Sequence, residues 1–325
     1  MPPNIELATA RLNLVPGILA EAYLTKCQIG LPFLDEALIG ILPTDLMLIG
    51  AASGKGKTAL CVEIAKYNAS IGRRVLLFAL EAEENEVEMR LLFQIESGLY
   101  FKNKLHQTGS RMDYRSWRLG MLDIVLAPIK QEAREIFEKR YRTLTTVYRH
   151  ERFSLGDLEQ TLDFAKGTQD LVIIDHFSYI SGNNLFSKAS QNQVESDMIV
   201  KIRDLNLYHK IPFVMAVHIR KERKSVIPEQ EDIMGSSDIY KNATIIAMVT
   251  PKPNGYRSKE QIQETLITLP KTRTGGLGNL CGILYYSLPH QGYSTKFEVG
   301  RVNFKGDDCE QLNEEEWPEW LKRRS

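Results

Sequence analysis

The sequence predicts an α/β protein with a mainly parallel central sheet and antiparallel hairpins toward its C-terminus, on three observations. Short β-rich apolar runs at Leu46–Ile49, Val75–Leu80, Leu171–Ile174, Phe213–Val217, Ile245–Val249 and Leu266–Leu269 are mostly separated by helical stretches. That alternation is the pattern of parallel strands joined by right-handed crossovers. The first run leads into a glycine-rich loop and then a helical segment. The last third changes character. Thr272–Gly278 lies between strand-like runs, and Ile283-Leu284-Tyr285-Tyr286 is followed by Phe297-Glu298-Val299, as in hairpins added to a sheet.

Taken in order, residues 5–24 carry Ile5, Leu7, Leu12, Leu14, Val15, Ile18 and Leu19 with Pro16 interrupting, which predicts a short helix or two ahead of the main domain. Gly30–Leu38 then leads through Pro43-Thr44-Asp45 into the first strand. Residues 84–168 are too long for one crossover and rich in charged helix formers such as Lys130–Arg142, so several helices are expected there. No internal repeat or low-complexity linker divides the 325 residues.

Composition narrows the class. The chain is 43% hydrophobic, ample for a core. Its longest apolar stretches fall far short of the roughly 20 residues that span a bilayer, and Met1–Glu6 does not begin a signal peptide. No membrane partner is expected, and the cytoplasm is the expected location. Cys27, Cys61, Cys281 and Cys309 lie far apart without a C-x-x-C pair, which predicts free thiols, mostly buried. Forty-one basic and forty-one acidic side chains cancel, which argues against coating nucleic acid by bulk charge. Any polyanion contact must be local; the obvious cluster is Arg220-Lys221-Glu222-Arg223-Lys224.

The chemistry concentrates at strand ends. Ala51-Ala52-Ser53-Gly54-Lys55-Gly56-Lys57-Thr58 follows an apolar strand and precedes a helix, as in a P-loop. Successive backbone N–H groups at a helix N-terminus surround a β-phosphate, Lys57 reaches the β- and γ-phosphates, and Thr58 holds Mg²⁺. The cofactors expected are ATP and Mg²⁺. Leu171-Val172-Ile173-Ile174-Asp175 ends in an acid at the sheet edge where nucleotides bind, making Asp175 the Walker B candidate beside the metal. The alternative is an ordinary strand-terminal Asp. Val75–Leu80 ends in Glu81, whose carboxylate could orient the water attacking the γ-phosphate; the competing reading is that Glu81, with Glu83, Glu84, Glu86 and Glu88, favours a helix N-terminus. Phe213–Val217 ends in His218, suited to sensing the γ-phosphate. Three such tips beside a P-loop would share one sheet edge.

On these motifs the chain resembles the RecA-like ring helicases of the DnaB superfamily over about residues 30–290, and within it the bacteriophage primase-helicases and mitochondrial Twinkle more than bacterial DnaB. Gly30-Leu31-Pro32-Phe33-Leu34-Asp35 resembles the family's entry segment, Leu80-Glu81 its Leu-Glu motif with the catalytic glutamate, Ile174-Asp175-His176 its Walker B motif in the phage branch, and His218-Ile219-Arg220-Lys221 the phosphate-sensing strand end of the phage and Twinkle branches. Gly235-Ser236-Ser237 resembles the Gly-Ser loop that touches single-stranded DNA, although its neighbours Met234, Asp238 and Tyr240 are not basic and only Lys241 is close. Lys271-Thr272-Arg273 resembles the Lys-x-Arg hairpin whose arginine enters the neighbouring subunit's nucleotide; read alone, it is a solvated turn.

The resemblance implies a RecA-like P-loop NTPase, ATP-hydrolysing and ring-forming, with hexamers expected. Catalytic roles fall to Glu81, Lys57, His218, Lys271 and Arg273, and DNA contacts to Arg220, Lys221, Lys224, Ser236 and Lys241. Partners would be single-stranded DNA, further copies of the chain, and replication or mobile-element proteins. It divides the chain into a helical linker at 1–29 that packs on an adjacent subunit, an ATPase domain at 30–300 and a tail at 301–325. Two other readings remain open: a RecA-like ring acting as a nucleotide-gated scaffold or loader without unwinding, and a recombinase- or clock-type relative. His218 and the Lys-x-Arg hairpin count against the latter.

Overall fold

In the computed structural model, which describes residues 8, 15–17, 20, 24, 26–108, 112–182, 190–219, 227–235, 237–273, 275–303, 306 and 308–322, the apolar runs become strands of one sheet. The strands are β1 (Leu46–Ala51), β2 (Val75–Ala79), β3 (Leu144–Tyr148), β4 (Phe153–Ser154), β5 (Leu171–Asp175), β6 (Ile180–Ser181), β7 (Phe213–His218), β8 (Ile245–Arg257), β9 (Ile262–Lys271), β10 (Leu280–Ser287), β11 (Gly292–Val302) and β12 (Cys309–Gln311). Among the described residues the large sheet has the order β12-β11-β10-β9-β8-β1-β7-β5-β2-β3, while β4 and β6 pair separately. From β8 to β3 neighbours run parallel; from β8 to β12 they run antiparallel.

The parallel strands read as unbroken apolar runs because both faces are covered: every residue of β1, β2 and β5 is buried. The helices are α1 (Pro32–Leu38), α2 (Lys57–Ser70), α3 (Glu86–Lys102), α4 (Tyr114–Arg118), α5 (Asp123–Leu126), α6 (Lys130–Tyr141), α7 (Leu155–Phe164), α8 (Gln191–His209), α9 (Ser237–Asn242) and α10 (Glu319–Lys322). Alternate strand residues point to opposite faces. Met47, Ile49, Leu77 and Ile173 join Leu60 and Ile64 of α2 and Leu91 of α3 in one core. Leu48, Phe78, Ile174 and Met215 join Leu158 of α7 and Ile199 and Ile202 of α8 in the other.

Residues 84–168 hold the expected helices and also β3, which the helical expectation missed. Leu144-Thr145-Thr146-Val147-Tyr148 is half-buried at the sheet margin, so it lacks the apolar continuity of its neighbours. Strands β8 and β9 extend well beyond the expected runs. Pro251 and Pro253 carry no N–H, yet β8 continues through them with a register shift between Pro251 and Tyr256, a bulge that accommodates missing N–H donors. Residues 309–322 are tied to the body: β12 pairs with β11, Trp317 stacks on Phe297 and Trp320 lies against Phe33 of α1. All four cysteines are buried free thiols, with Sγ of Cys281 and Cys309 3.1 Å apart. Of the expected helical segment at residues 5–24, residues 8, 15–17, 20 and 24 are described and are helical; the others lie outside the described residues. Among the described residues, no helix is long and apolar enough to cross a membrane.

Candidate active site

Adjacent parallel strands β1, β7, β5 and β2 bring their C-terminal ends to one edge, and there the predicted residues converge. Ala51 closes β1; Ala52, Ser53, Gly54, Lys55 and Gly56 form the loop; Lys57 and Thr58 open α2. Gly54 and Gly56 take φ of 70° and 100°, the left-handed region that glycine enters without steric cost. Gly56 is the N-cap of α2 and makes no side-chain cap, so the first amides of the helix remain available to an anion.

Lys57 is buried, and its Nζ donates to the carbonyls of Ala51 and Ala52, both at 3.1 Å, and to Nδ1 of His218 at 3.0 Å. Burial pulls its ammonium below the usual value, against the carboxylates of Glu81 and Asp175. Asp175 is 3% exposed and takes a hydrogen bond from the Thr58 hydroxyl. Burial nevertheless pushes its carboxyl up to about 6, because desolvation disfavours the charged form. Its Oδ1 is buried without any hydrogen-bond partner. An orphaned carboxylate oxygen beside a helix-opening threonine hydroxyl is the donor set a hard divalent cation takes, so Thr58 and Asp175 fit Mg²⁺.

Glu81 follows β2, and its backbone N–H donates to the carbonyl of Asp175 at 3.2 Å. Its side chain is part-exposed, with Oε2 3.4 Å from Nε2 of His176. His176 and His218 pack edge to face with ring centroids 4.0 Å apart. Burial lowers both imidazoles; His176, further opposed by the charges of His218 and Lys57, falls to about 3. Lys57, His218, His176 and Glu81 thus lie side by side across the three strand tips, linked in turn by a hydrogen bond, a ring contact and a 3.4 Å approach.

The loop borders a pocket of about 450 Å³ that also takes in Glu81, Arg90, Tyr286 and Tyr293. The last three were not singled out from the sequence. Arg90 projects from α3, where Glu86 one turn earlier takes its guanidinium at 2.7 Å; that spacing was the available signal. Tyr286 and Tyr293 come from the distant β10–β11 hairpin, and nothing local marks them. A more open groove of about 960 Å³ lies between Pro32, Phe297 and Trp317; it holds none of the strand-tip groups.

Lys271 and Arg273 do not join this edge. Nε of Arg273 lies 2.6 Å from Oδ1 of buried Asp45, and its Nη2 donates to Thr44 Oγ1 at 2.8 Å. Lys271 Nζ donates to the carbonyls of Tyr240 and Lys241, both at 3.1 Å. Asp45 immediately precedes β1 whereas the loop follows it, so strand β1 separates the two positions by roughly 20 Å. Lys241 is exposed near the same far edge, 3.4 Å from Asp238. Of the other DNA-contact candidates, Arg220, Lys221, Lys224 and Ser236 lie outside the described residues.

This arrangement, a strand–loop–helix phosphate cradle with acids on neighbouring strand tips, defines a P-loop NTPase. The chain matches the family described as DnaB-like helicase C terminal domain over residues 27–287 and belongs to it. It is 24% identical over 289 residues to the replicative DNA helicase DnaB of Treponema pallidum (strain Nichols), covering 84% of this chain and 60% of that protein. It is 22% identical over 264 residues to the replicative DNA helicase DnaB of Geobacillus stearothermophilus, covering 80% and 55%. The chain therefore spans between half and two thirds of the curated relatives it matches. Among solved structures, the ATPase domain of G40P superposes with a TM-score of 0.60 at 15% identity, over 95% of this chain and 100% of that one. A DnaB-like replicative helicase, described with its interactions with primase, superposes with a TM-score of 0.63 at 14% identity, over 95% and 69%. The RecA-like fold is thereby shown.

Proposed function

We propose that the chain is a Mg²⁺-dependent ATPase that assembles as a homohexameric ring, translocates on single-stranded DNA and separates duplex strands. The observation that carries this reading is the separation of Arg273 from its own chain's P-loop by the depth of the sheet. A cation fixed on the far edge cannot serve its own site, whereas head-to-tail packing of copies brings the far edge of one chain to the loop of the next. Relatives named as replicative DNA helicases supply the substrate class.

In this reading Lys57 and the amides at the start of α2 bind the phosphates, and Thr58 and Asp175 hold the metal. Bound Mg²⁺ would neutralise charge on the transferring phosphoryl group. Glu81 orients the attacking water and takes its proton. His218, already bonded to Lys57, is placed to transmit the state of the phosphate end to the segment after β7. Arg273 keeps one guanidinium edge on Asp45 and Thr44, leaving Nη1 for a neighbour's γ-phosphate. Lys271 assists from the same edge. DNA is contacted through its backbone by Arg220, Lys221, Lys224, Ser236 and Lys241.

The test is steady-state ATP hydrolysis with and without single-stranded DNA, over protein concentrations that span assembly. A several-fold rise with DNA, followed by fork unwinding, is the expected result. A rate that ignores DNA while hydrolysis depends on Lys57 would refute the translocase and favour a ring that serves a protein partner.

A further inference from the structure

His176 stands beside the candidate base, yet none of the roles above uses it. It is 1% exposed. Its Nδ1 accepts the backbone N–H of Ser178 at 3.2 Å, capping the turn at Phe177–Tyr179. A ring nitrogen that accepts carries a lone pair, so the proton of the neutral imidazole resides on Nε2. That Nε2 is buried without a well-aligned hydrogen-bond partner, and the acceptor facing it is Oε2 of Glu81 at 3.4 Å. The ring plane is held by His218 on one side and by Tyr179, 5.0 Å away between centroids. Arg149 lies over the Tyr179 ring at 4.5 Å.

Glu81 is the opposite case. Its side chain is 40% exposed, and no other donor among the described residues pairs with its carboxylate. An unrestrained glutamate samples several rotamers, few of which face the phosphate end of the loop. The three residues Glu81, His176 and His218 do present atoms within 4.8 Å of one another, which invites a metal site. The tautomers count against it: Nδ1 of His218 accepts from Lys57 as Nδ1 of His176 accepts from Ser178, so both Nε2 atoms carry protons and offer no lone pair.

We propose that His176 is the positioning residue for Glu81, its Nε2–H holding the carboxylate in the one orientation that accepts a proton from the attacking water. The assignment rests on the ATPase reading of this site. Catalytic hydrogen bonds in the absence of substrate are often long and tighten in the reactive complex, as a 3.4 Å contact from a fixed donor to a part-exposed acceptor would.

Two substitutions separate positioning from a merely structural role. In His176→Asn the side-chain oxygen can still accept from Ser178, but the amide falls short of Glu81. In His176→Gln the amide reaches toward Glu81 and the turn loses its cap. Both variants of the full chain are compared with wild type for kcat, KM, affinity for a fluorescent ATP analogue and thermal midpoint. Positioning predicts that His176→Asn loses about tenfold to a hundredfold in kcat with KM and analogue affinity unchanged, and that His176→Gln recovers most of the loss. A His176→Asn enzyme with wild-type kcat, or a loss that tracks KM and thermal midpoint in both variants, would overturn the assignment alone. A wild type whose hydrolysis does not depend on Lys57 would sink the ATPase reading, and this assignment with it.

Discussion

Asp175→Asn should make the protein more stable while disabling the proposed metal site. The carboxylate is almost wholly buried, one of its oxygens lacks any partner, and desolvation raises it from 3.8 to about 6. At about 1.4 kcal/mol per pKa unit, that rise corresponds to a cost of about 3 kcal/mol once the group is ionised in the native state. The sign follows from proton binding: between pH 3.8 and 6 the native state holds the proton more tightly than the unfolded chain, so stability falls as pH rises through that window and stays lower above it. The asparagine keeps the contact with Thr58 and carries no charge. In EDTA at pH 8, Asp175→Asn should therefore unfold at a midpoint several degrees above wild type, and the gap should close as pH falls below 4. Adding Mg²⁺ and a non-hydrolysable ATP analogue should stabilise wild type far more than the variant. Circular dichroism melts at pH 3.5, 6 and 8, with and without Mg²⁺ and the analogue at pH 8, measure all of this. A variant that melts below wild type at pH 8, or a gap that ignores pH, would refute the claim that burial without a partner dominates this carboxylate.

Two further substitutions probe the scaffold. Gly56→Ala places a Cβ at φ of 100° and 3.1 Å from the Tyr293 hydroxyl; it should cost about 1–2 kcal/mol and weaken binding of the fluorescent ATP analogue at least tenfold. Gly282→Ala would set a Cβ 2.4 Å from the Phe33 ring, forcing α1 off the sheet; urea unfolding should show a loss of about 1–3 kcal/mol, with hydrolysis per folded molecule retained because no site residue moves.

Legibility followed burial. Strands covered on both faces announced themselves as apolar runs, and the polar residue ending each run stood out as chemistry: Asp175, Glu81 and His218 were found this way, and the structure brings them together. The motif at residues 51–58 was readable because a phosphate cradle demands glycines at fixed spacing. Strand β3, half-exposed and set among charged helices, carried no such contrast. The partners of those polar residues were hidden for another reason. The bond from Arg273 to Asp45 joins positions 228 residues apart, and the tyrosines of the pocket arrive on a hairpin of ordinary composition. His176 was legible as part of a motif, but its tautomer depends on the Ser178 amide, and only folded geometry supplies that.

The account turns on a site completed by a second copy of the chain, and mixing two inactive variants tests this most directly. Lys57→Ala lacks the lysine proposed to bind phosphate and Arg273→Ala lacks the far-edge arginine, so each alone should hydrolyse almost no ATP. After subunits exchange, an Arg273→Ala chain offers an intact loop to the intact arginine of a Lys57→Ala neighbour. In a head-to-tail ring of equal parts, about a quarter of interfaces regain both groups, and ATP hydrolysis should return in proportion. Mixed rings that form, as judged by co-purification of differently tagged chains, and yet remain inactive would contradict completion in trans. So would an Arg273→Ala protein that hydrolyses ATP at the wild-type rate by itself.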